Sequence, residues 1–349
     1  MASVKYSAID LFCGAGGLTA GLNHAGFKVL AGVEMNSVAA ETFRLNHPKV
    51  KLYESDIRSL SVKNVLDDLG LKKGELDLLA GCPPCQGFSS HTTRNKASAI
   101  NDSRNELIFE FYRFVEDALP KTIMLENVPA LAKDWRIVEL QRRLNDLGYL
   151  VDKHFAEVKN AADFGVPQRR RRLIIKASRF GLIDSPAFIR VKKTVRQTFA
   201  GLPEVGHSGD ELHDLIENRT QKVKLMISLV PKDGGSRSDL PKDLWLECHK
   251  RNSGGYKDVY GRMSWDDVAP TITGGCTNPS KGRFLHPSEN RAITLREAAL
   301  LQSFPITYKF SMRRGKDAVA LMIGNALPPE FIRQHAKMFI KHLKGVQCG

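Results

Sequence analysis

Across the first 180 residues, short apolar runs of β type alternate with segments of helical periodicity, and this alternation restricts the fold more than any other feature. Tyr6–Phe12, Phe27–Val33, Val50–Tyr53, Leu76–Ala80, Thr122–Leu125 and Arg172–Ala177 read as strands. Leu18–Ala25, a segment that Ser37 can cap and that ends near Pro48, Val62–Leu69, Glu106–Ala118 and Trp135–Leu147 read as helices. Repeated β-α units with short connections require parallel strands, and their crossover helices must cover both faces. The predicted class is therefore α/β, a doubly wound and mostly parallel sheet. The rhythm stops near residue 180, where Gly pairs at 234–235, 254–255 and 274–275 and scattered Pro predict a smaller, loop-rich second domain. Helical periodicity returns at Leu295–Leu301, and Phe331–Leu343 reads as a closing amphipathic helix after Pro328-Pro329. The expected division is 1–185 with 310–349 as one domain and 186–309 as the other.

Charge narrows the class of partner. The chain carries 52 Lys and Arg against 38 Asp and Glu, a net +14, which points to a polyanion. From Arg169 to Arg196 there are ten basic residues and one acidic one, Asp184, so the excess is local. A solvated basic face is the plain alternative. No apolar run approaches the roughly 20 residues of a membrane span, and the N-terminus lacks a secretory layout, so a cytoplasmic protein is expected. Six scattered cysteines do not suggest a disulfide scaffold.

Two strand ends carry chemistry-bearing residues. The first strand runs through Phe12-Cys13-Gly14-Ala15-Gly16-Gly17 straight into a helix, where glycines permit positive φ and close approach of a ligand to the backbone. Glu34 ends the second strand, placed to accept hydrogen bonds from ribose hydroxyls, and Asp56 follows the third. Thr19 stands where a dinucleotide fingerprint would have its third glycine, which disfavours a pyrophosphate ligand. A tight strand-to-helix turn is the plain alternative for the loop, and Glu34 and Asp56 at successive strand ends favour an adenosine-containing cofactor.

The strand at 76–80 leads into Gly81-Cys82-Pro83-Pro84-Cys85-Gln86-Gly87-Phe88-Ser89. A redox dithiol would need the Cys pair at a helix N-terminus, and no helix is expected before about Ser103. A zinc site would need a second clustered pair, which is missing, so no metal is expected. A nucleophilic thiolate fits best, with Glu126 ending the next strand and Arg170 and Arg172 alternating onto one face if 168–172 is extended. Cys85 opens a polar segment to Asp102 that reads as a flap over the substrate, with Ser103 and Glu106 at capping-box spacing beyond it. Cys82, ahead of the Pro pair, is expected to point into packing as a small apolar side chain.

With these residues in view, the chain resembles the cytosine carbon-5 DNA methyltransferases of bacterial type, nearly end to end. DLFCGAGG resembles that family's first motif, GCPPCQGFS its nucleophile motif, ENV its acidic motif and QRRRR its Gln-x-Arg-x-Arg motif. RAITLREAALLQSFP at 291–305 and GNALPP at 324–329 resemble its two last motifs. The resemblance implies a Rossmann-like methyltransferase domain, a target-recognition domain, and S-adenosylmethionine as cofactor with S-adenosylhomocysteine as product. It implies Cys85, Glu126, Arg170 and Arg172 as catalytic residues, with Cys85 attacking a flipped cytosine. It also implies cofactor contacts by Phe12, Ala15, Gly16, Gly17, Glu34, Met35, Asp56, Ile57, Pro84, Leu107, Asn325 and Ala326. Gln86, Ser89, Arg94, Gln168, Thr271 and Thr273 are implied to meet double-stranded DNA. A bacterial, nucleoid-associated monomer is expected, with a cognate restriction endonuclease as a potential partner encoded nearby. Three rivals carry distinct marks. The transfer-RNA branch of the family has a Cys-Phe-Thr signature that is missing here, a catalytically dead homologue would have lost Cys85, Glu126 or the arginines, and a cysteine oxidoreductase would have no use for Glu126.

Overall fold

The computed structural model describes residues 6–84, 106–215, 217–245, 250 and 258–347. By compactness the chain forms two units. One comprises Met1–Phe164, Arg171–Phe188 and Leu327–Gly349, and the other Gly165–Arg170 and Ile189–Ala326. Residues 310–326, expected with the first domain, group with the second unit because helix Gly315–Asn325 packs against helix Leu295–Leu301.

The first unit is built on seven strands: β1 (Ser7–Leu11), β2 (Lys28–Val33), β3 (Lys51–Tyr53), β4 (Leu78–Gly81), β5 (Thr122–Asn127), β6 (Ala156–Asn160) and β7 (Arg171–Ser178). Their order across the sheet is β3-β2-β1-β4-β5-β7-β6. The first five are parallel, and β7 runs antiparallel between β5 and β6. Strand order therefore reverses between β1 and β4, which opens a crevice at their carboxyl ends. β6 escaped the sequence reading because Ala156–Asn160 is half-buried throughout and carries Glu157 and Lys159, as edge strands commonly do.

Side chains alternate across the sheet as strand geometry requires. Ile9 and Leu11 enter a core shared with helices α3 (Val62–Asp68), α4 (Leu107–Ala118) and α5 (Trp135–Asp146). Asp10 points the other way, toward helix α1 (Gly17–Ala25), which packs along the closing helix Pro329–Gln347. Helix α2 (Ser37–Asn46) is capped one residue earlier than expected. The Asn36 side chain, not Ser37, accepts from the amides of Val38 and Ala39. Ser103 lies outside the described residues, and α4 has Glu106 at its N-cap position with no side-chain cap bond.

The second unit has little ladder to satisfy its backbone, and buried arginines do part of that work. Arg262 is wholly buried and donates to the carbonyls of Ile227, Val230 and His286 at 2.7–3.0 Å. These loops surround a small apolar cluster that includes Met226, Ile227, Val230, Val259 and Leu285. Such satisfaction is obligatory for buried carbonyls, and a guanidinium with five N–H groups supplies it economically.

Candidate active site

At the carboxyl end of β1 the chain turns through Phe12 (φ 62°), Gly14 (φ 54°) and Gly16 (φ 91°) into α1. A Cβ on Gly14 would meet nothing within 4 Å, so the constraint there is the left-handed backbone, and the loop stands open to a ligand. Glu34, at the end of β2, accepts from Gly14 N through Oε2 at 2.9 Å and from Asn36 N through Oε1 at 2.7 Å. Burial pushes its carboxyl above the ordinary range, opposed by the amides of Asn36, Gly14 and Met35. Met35 is exposed. Asp56 caps the short turn Ile57–Ser59 by accepting from Arg58 N and pairs with the Arg58 guanidinium, while Ile57 is buried. Leu107 is the first residue of α4.

Thr19 explains the missing third glycine. Its hydroxyl donates to Asp10 Oδ2 at 2.6 Å, tying α1 to β1 beneath the loop. Asp10 is fully buried, and Oδ1 has no hydrogen-bond partner among the described residues. Desolvation pushes its carboxyl up to about 7. Neither residue was assigned a role from the sequence, although Thr19 in a glycine position was the available signal.

The second strand end holds Glu126. Parallel register sets Gly81 of β4 opposite Leu125 of β5, so Cys82 and Glu126 follow side by side. Antiparallel register sets Glu126 opposite Ile174 of β7, with Arg172 two residues along on the same face. Arg172 Nε lies 2.9 Å from Glu126 Oε1, and the Cys82 thiol donates to Glu126 Oε2 at 2.9 Å. Cys82 is thus not the inert packing residue expected: its side chain faces the acid. Desolvation first, then the neighbouring Glu126 charge, holds its thiol well above the ordinary range, so it stays protonated and able to donate. Asn127, to which the sequence reading gave no role, donates from Nδ2 to Pro83 O at 3.0 Å and so pins the Pro83-Pro84 turn that leads to position 85.

Four expected site residues, Cys85, Gln86, Ser89 and Arg94, lie outside the described residues, as does the expected flap up to Asp102.

Arg170 and Gln168 differ from expectation. β7 begins at Arg171, so residue 170 precedes the strand and the alternation that would pair it with Arg172 does not apply. Within the second unit Arg170 is 2% exposed and donates to the carbonyls of Ile272, Gly324 and Ala326 at 2.9–3.1 Å. Gln168 is wholly buried, donating from Nε2 to Leu301 O and Gln302 Oε1 and accepting from Ile272 N at Oε1. Both are buried braces of the second unit. Thr271 donates to Arg169 O at 2.6 Å, and the Thr273 hydroxyl accepts from Gly275 N at 3.4 Å. Asn325 is exposed and Ala326 half-buried.

The family described as C-5 cytosine-specific DNA methylase matches residues 6–341. The chain is 35% identical over 353 residues to the type II methylase M.HgiDII of Herpetosiphon aurantiacus, covering 97% of this chain and 96% of that one. It is 34% identical to the type II methyltransferase M1.HphI of Haemophilus parahaemolyticus, covering 95% and 86%. In fold it is similar to the solved structure of an Entamoeba histolytica methyltransferase, with TM-score 0.65 at 17% identity over 98% of this chain and 99% of that one. With its sheet order, its Gly-loop and its Glu126–Arg172 pair, this chain belongs to the C-5 cytosine-specific DNA methylases.

Proposed function

We propose that the enzyme transfers a methyl group from S-adenosylmethionine to carbon 5 of a cytosine flipped out of a short duplex site, through a covalent adduct on Cys85, as the modification enzyme of a type II restriction–modification system. The names of its relatives, type II methylases, support the last clause. The observation that carries the chemistry is Glu126, 2% exposed and braced on one oxygen by Arg172 and on the other by Cys82.

The residues around the Gly-loop fit the cofactor. The open backbone at Gly14, the Glu34 carboxylate and the exposed Met35 thioether suit the amino-acid, ribose and adenine parts respectively. When bound, S-adenosylmethionine supplies an electrophilic methyl group. Cys85 as thiolate forms a bond to carbon 6 of cytosine, and the electron pair displaced from the ring makes carbon 5 nucleophilic. Glu126 delivers a proton to ring nitrogen 3 so that the ring does not hold a full negative charge. Arg172 fixes Glu126 and offers N–H groups to the cytosine oxygen. Once carbon 5 is methylated, loss of its proton to a base restores the double bond and expels the Cys85 sulfur, and the proton on ring nitrogen 3 returns to Glu126. These atoms are stacked inside duplex DNA, so the base must leave the stack first, at a cost of a few kcal/mol.

Transfer of tritiated methyl from S-adenosylmethionine into duplex DNA, measured against transfer RNA, tests the reading. Label is expected in the duplex, and at least 100-fold less with Glu126→Gln, following the usual worth of general acid catalysis. Label confined to transfer RNA, or equal in the variant, would contradict it.

A further inference from the structure

Glu126 is ion-paired to Arg172 through Oε1 and accepts a hydrogen bond at Oε2, and the donor of that bond is a thiol that the sequence alone would place in packing. We propose that Cys82 is a positioning residue for Glu126: its S–H bonds Oε2 from the β4 side while the Arg172 guanidinium is ion-paired with Oε1 from the β7 side, so that the carboxyl is presented in one rotamer. The proposal rests on the reading of Glu126 as the proton donor, and it adds a residue to which that reading gives no part.

The geometry favours this over simple packing. The Cys82 backbone is held on both sides, since its amide donates to Leu11 O at 3.2 Å and the Pro83–Pro84 peptide is held by Asn127 through Pro83 O. From that backbone the sulfur lies 2.9 Å from Oε2, across the ends of two neighbouring strands. Among the described residues, the charged and titratable groups besides Glu126 that act on the Cys82 thiol are Arg172 from β7 and Asp10 from β1. Arg172 favours the ionised thiol. Burial and the Glu126 charge outweigh it and keep the thiol a donor, with Asp10 adding to them.

A thiol suits the position chemically. A donor to a carboxyl oxygen stabilises the carboxylate more than the neutral acid, so a strong donor would keep the proton off Glu126. S–H is a weak donor, which orients the carboxyl with little penalty on its protonation. Serine at this position would donate more strongly and alanine not at all. The two substitutions should then move the same property in opposite directions, which no packing role would do.

The test is a carboxyl titration that does not depend on turnover. Glutamate labelled with carbon-13 at the side-chain carboxyl is followed by NMR against pH in wild type, Cys82→Ser and Cys82→Ala, with the Glu126 signal identified by its loss in Glu126→Gln. The midpoint is expected to rise by about half to one pH unit in Cys82→Ala and to fall by a similar amount in Cys82→Ser. A methyl-transfer assay on the same three proteins is expected to show lower kcat with the KM for S-adenosylmethionine within twofold. Midpoints equal in all three proteins, or moved the same way by both substitutions, would overturn the assignment, even if both variants lose thermal stability. A wild-type chain that titrates as expected yet transfers no methyl to DNA would instead defeat the reading of the site.

Discussion

The folded chain keeps a proton on Asp10 up to about pH 7, because burial opposes ionisation more than the Thr19 hydroxyl and amide favour it, and Glu34 adds repulsion. An unfolded aspartate loses that proton near its ordinary 3.8. Between those values the folded state binds more protons than the unfolded one, so this residue's contribution to stability is full below 3.8 and is lost as pH rises through 7. The shift corresponds to on the order of 4 kcal/mol. Asp10→Asn, which still accepts from Thr19, should therefore gain in melting temperature relative to wild type as pH rises across that window. Parallel curves for the two proteins would show that Asp10 ionises normally. The residue scale is also where the sequence is least complete. Glu34, Glu126 and Arg172 were legible because their types match a chemistry at strand ends. Cys82 and Thr19 were not, because their roles depend on a partner 44 and 9 residues away and on a register that only the folded sheet supplies. Arg170 looked like Arg172 in sequence, and a strand boundary between them sends its guanidinium to backbone carbonyls.

Helix α1 shows how close packing outweighs propensity. Gly21 lies in mid-helix, where alanine would ordinarily gain about 1 kcal/mol. A Cβ there would come within 2.5 Å of Ile332 Cβ and 2.6 Å of Pro329 O on the closing helix, a β-branched side chain and a backbone atom, neither of which yields easily. Overpacking of this kind costs about 1–3 kcal/mol beyond the propensity gain, so Gly21→Ala should lower the urea midpoint. A raised midpoint would mean that the two helices separate freely. Strands β1 to β5 and helices α1 to α5 were legible because each pairs a strong period with a stop signal such as Gly26, which takes φ 112° at the end of α1. β6 and the helix Gly315–Asn325 were not, one being a short edge strand with charged residues and the other beginning and ending in glycine or asparagine with no clean apolar stripe.

For the whole molecule, the net charge of +14 overstates what a polyanion meets. Of the ten basic residues from Arg169 to Arg196, Arg169 pairs with Asp267, Arg172 with Glu126 and Arg196 with Asp266, while Arg170 and Arg179 donate to backbone carbonyls. Arg190, Lys192 and Lys193 are exposed, as a phosphate contact requires. Duplex affinity should fall steeply with salt, and replacing Lys192 and Lys193 by Ala should reduce the log–log slope by about 1 to 2 with no change of preferred site. An unchanged slope would assign both lysines to solvent alone, and a changed site preference would give them base contacts. The central claim, a cysteine nucleophile following the pinned Pro83-Pro84 turn, is tested most directly by a duplex in which the target cytosine carries fluorine at carbon 5. Fluorine cannot leave as a proton does, so incubation with S-adenosylmethionine should trap a covalent protein–DNA complex. Peptide mapping is expected to place the bond on Cys85, and Cys85→Ala should form no complex. A bond on Cys82, or a trapped complex with Cys85→Ala, would contradict the account.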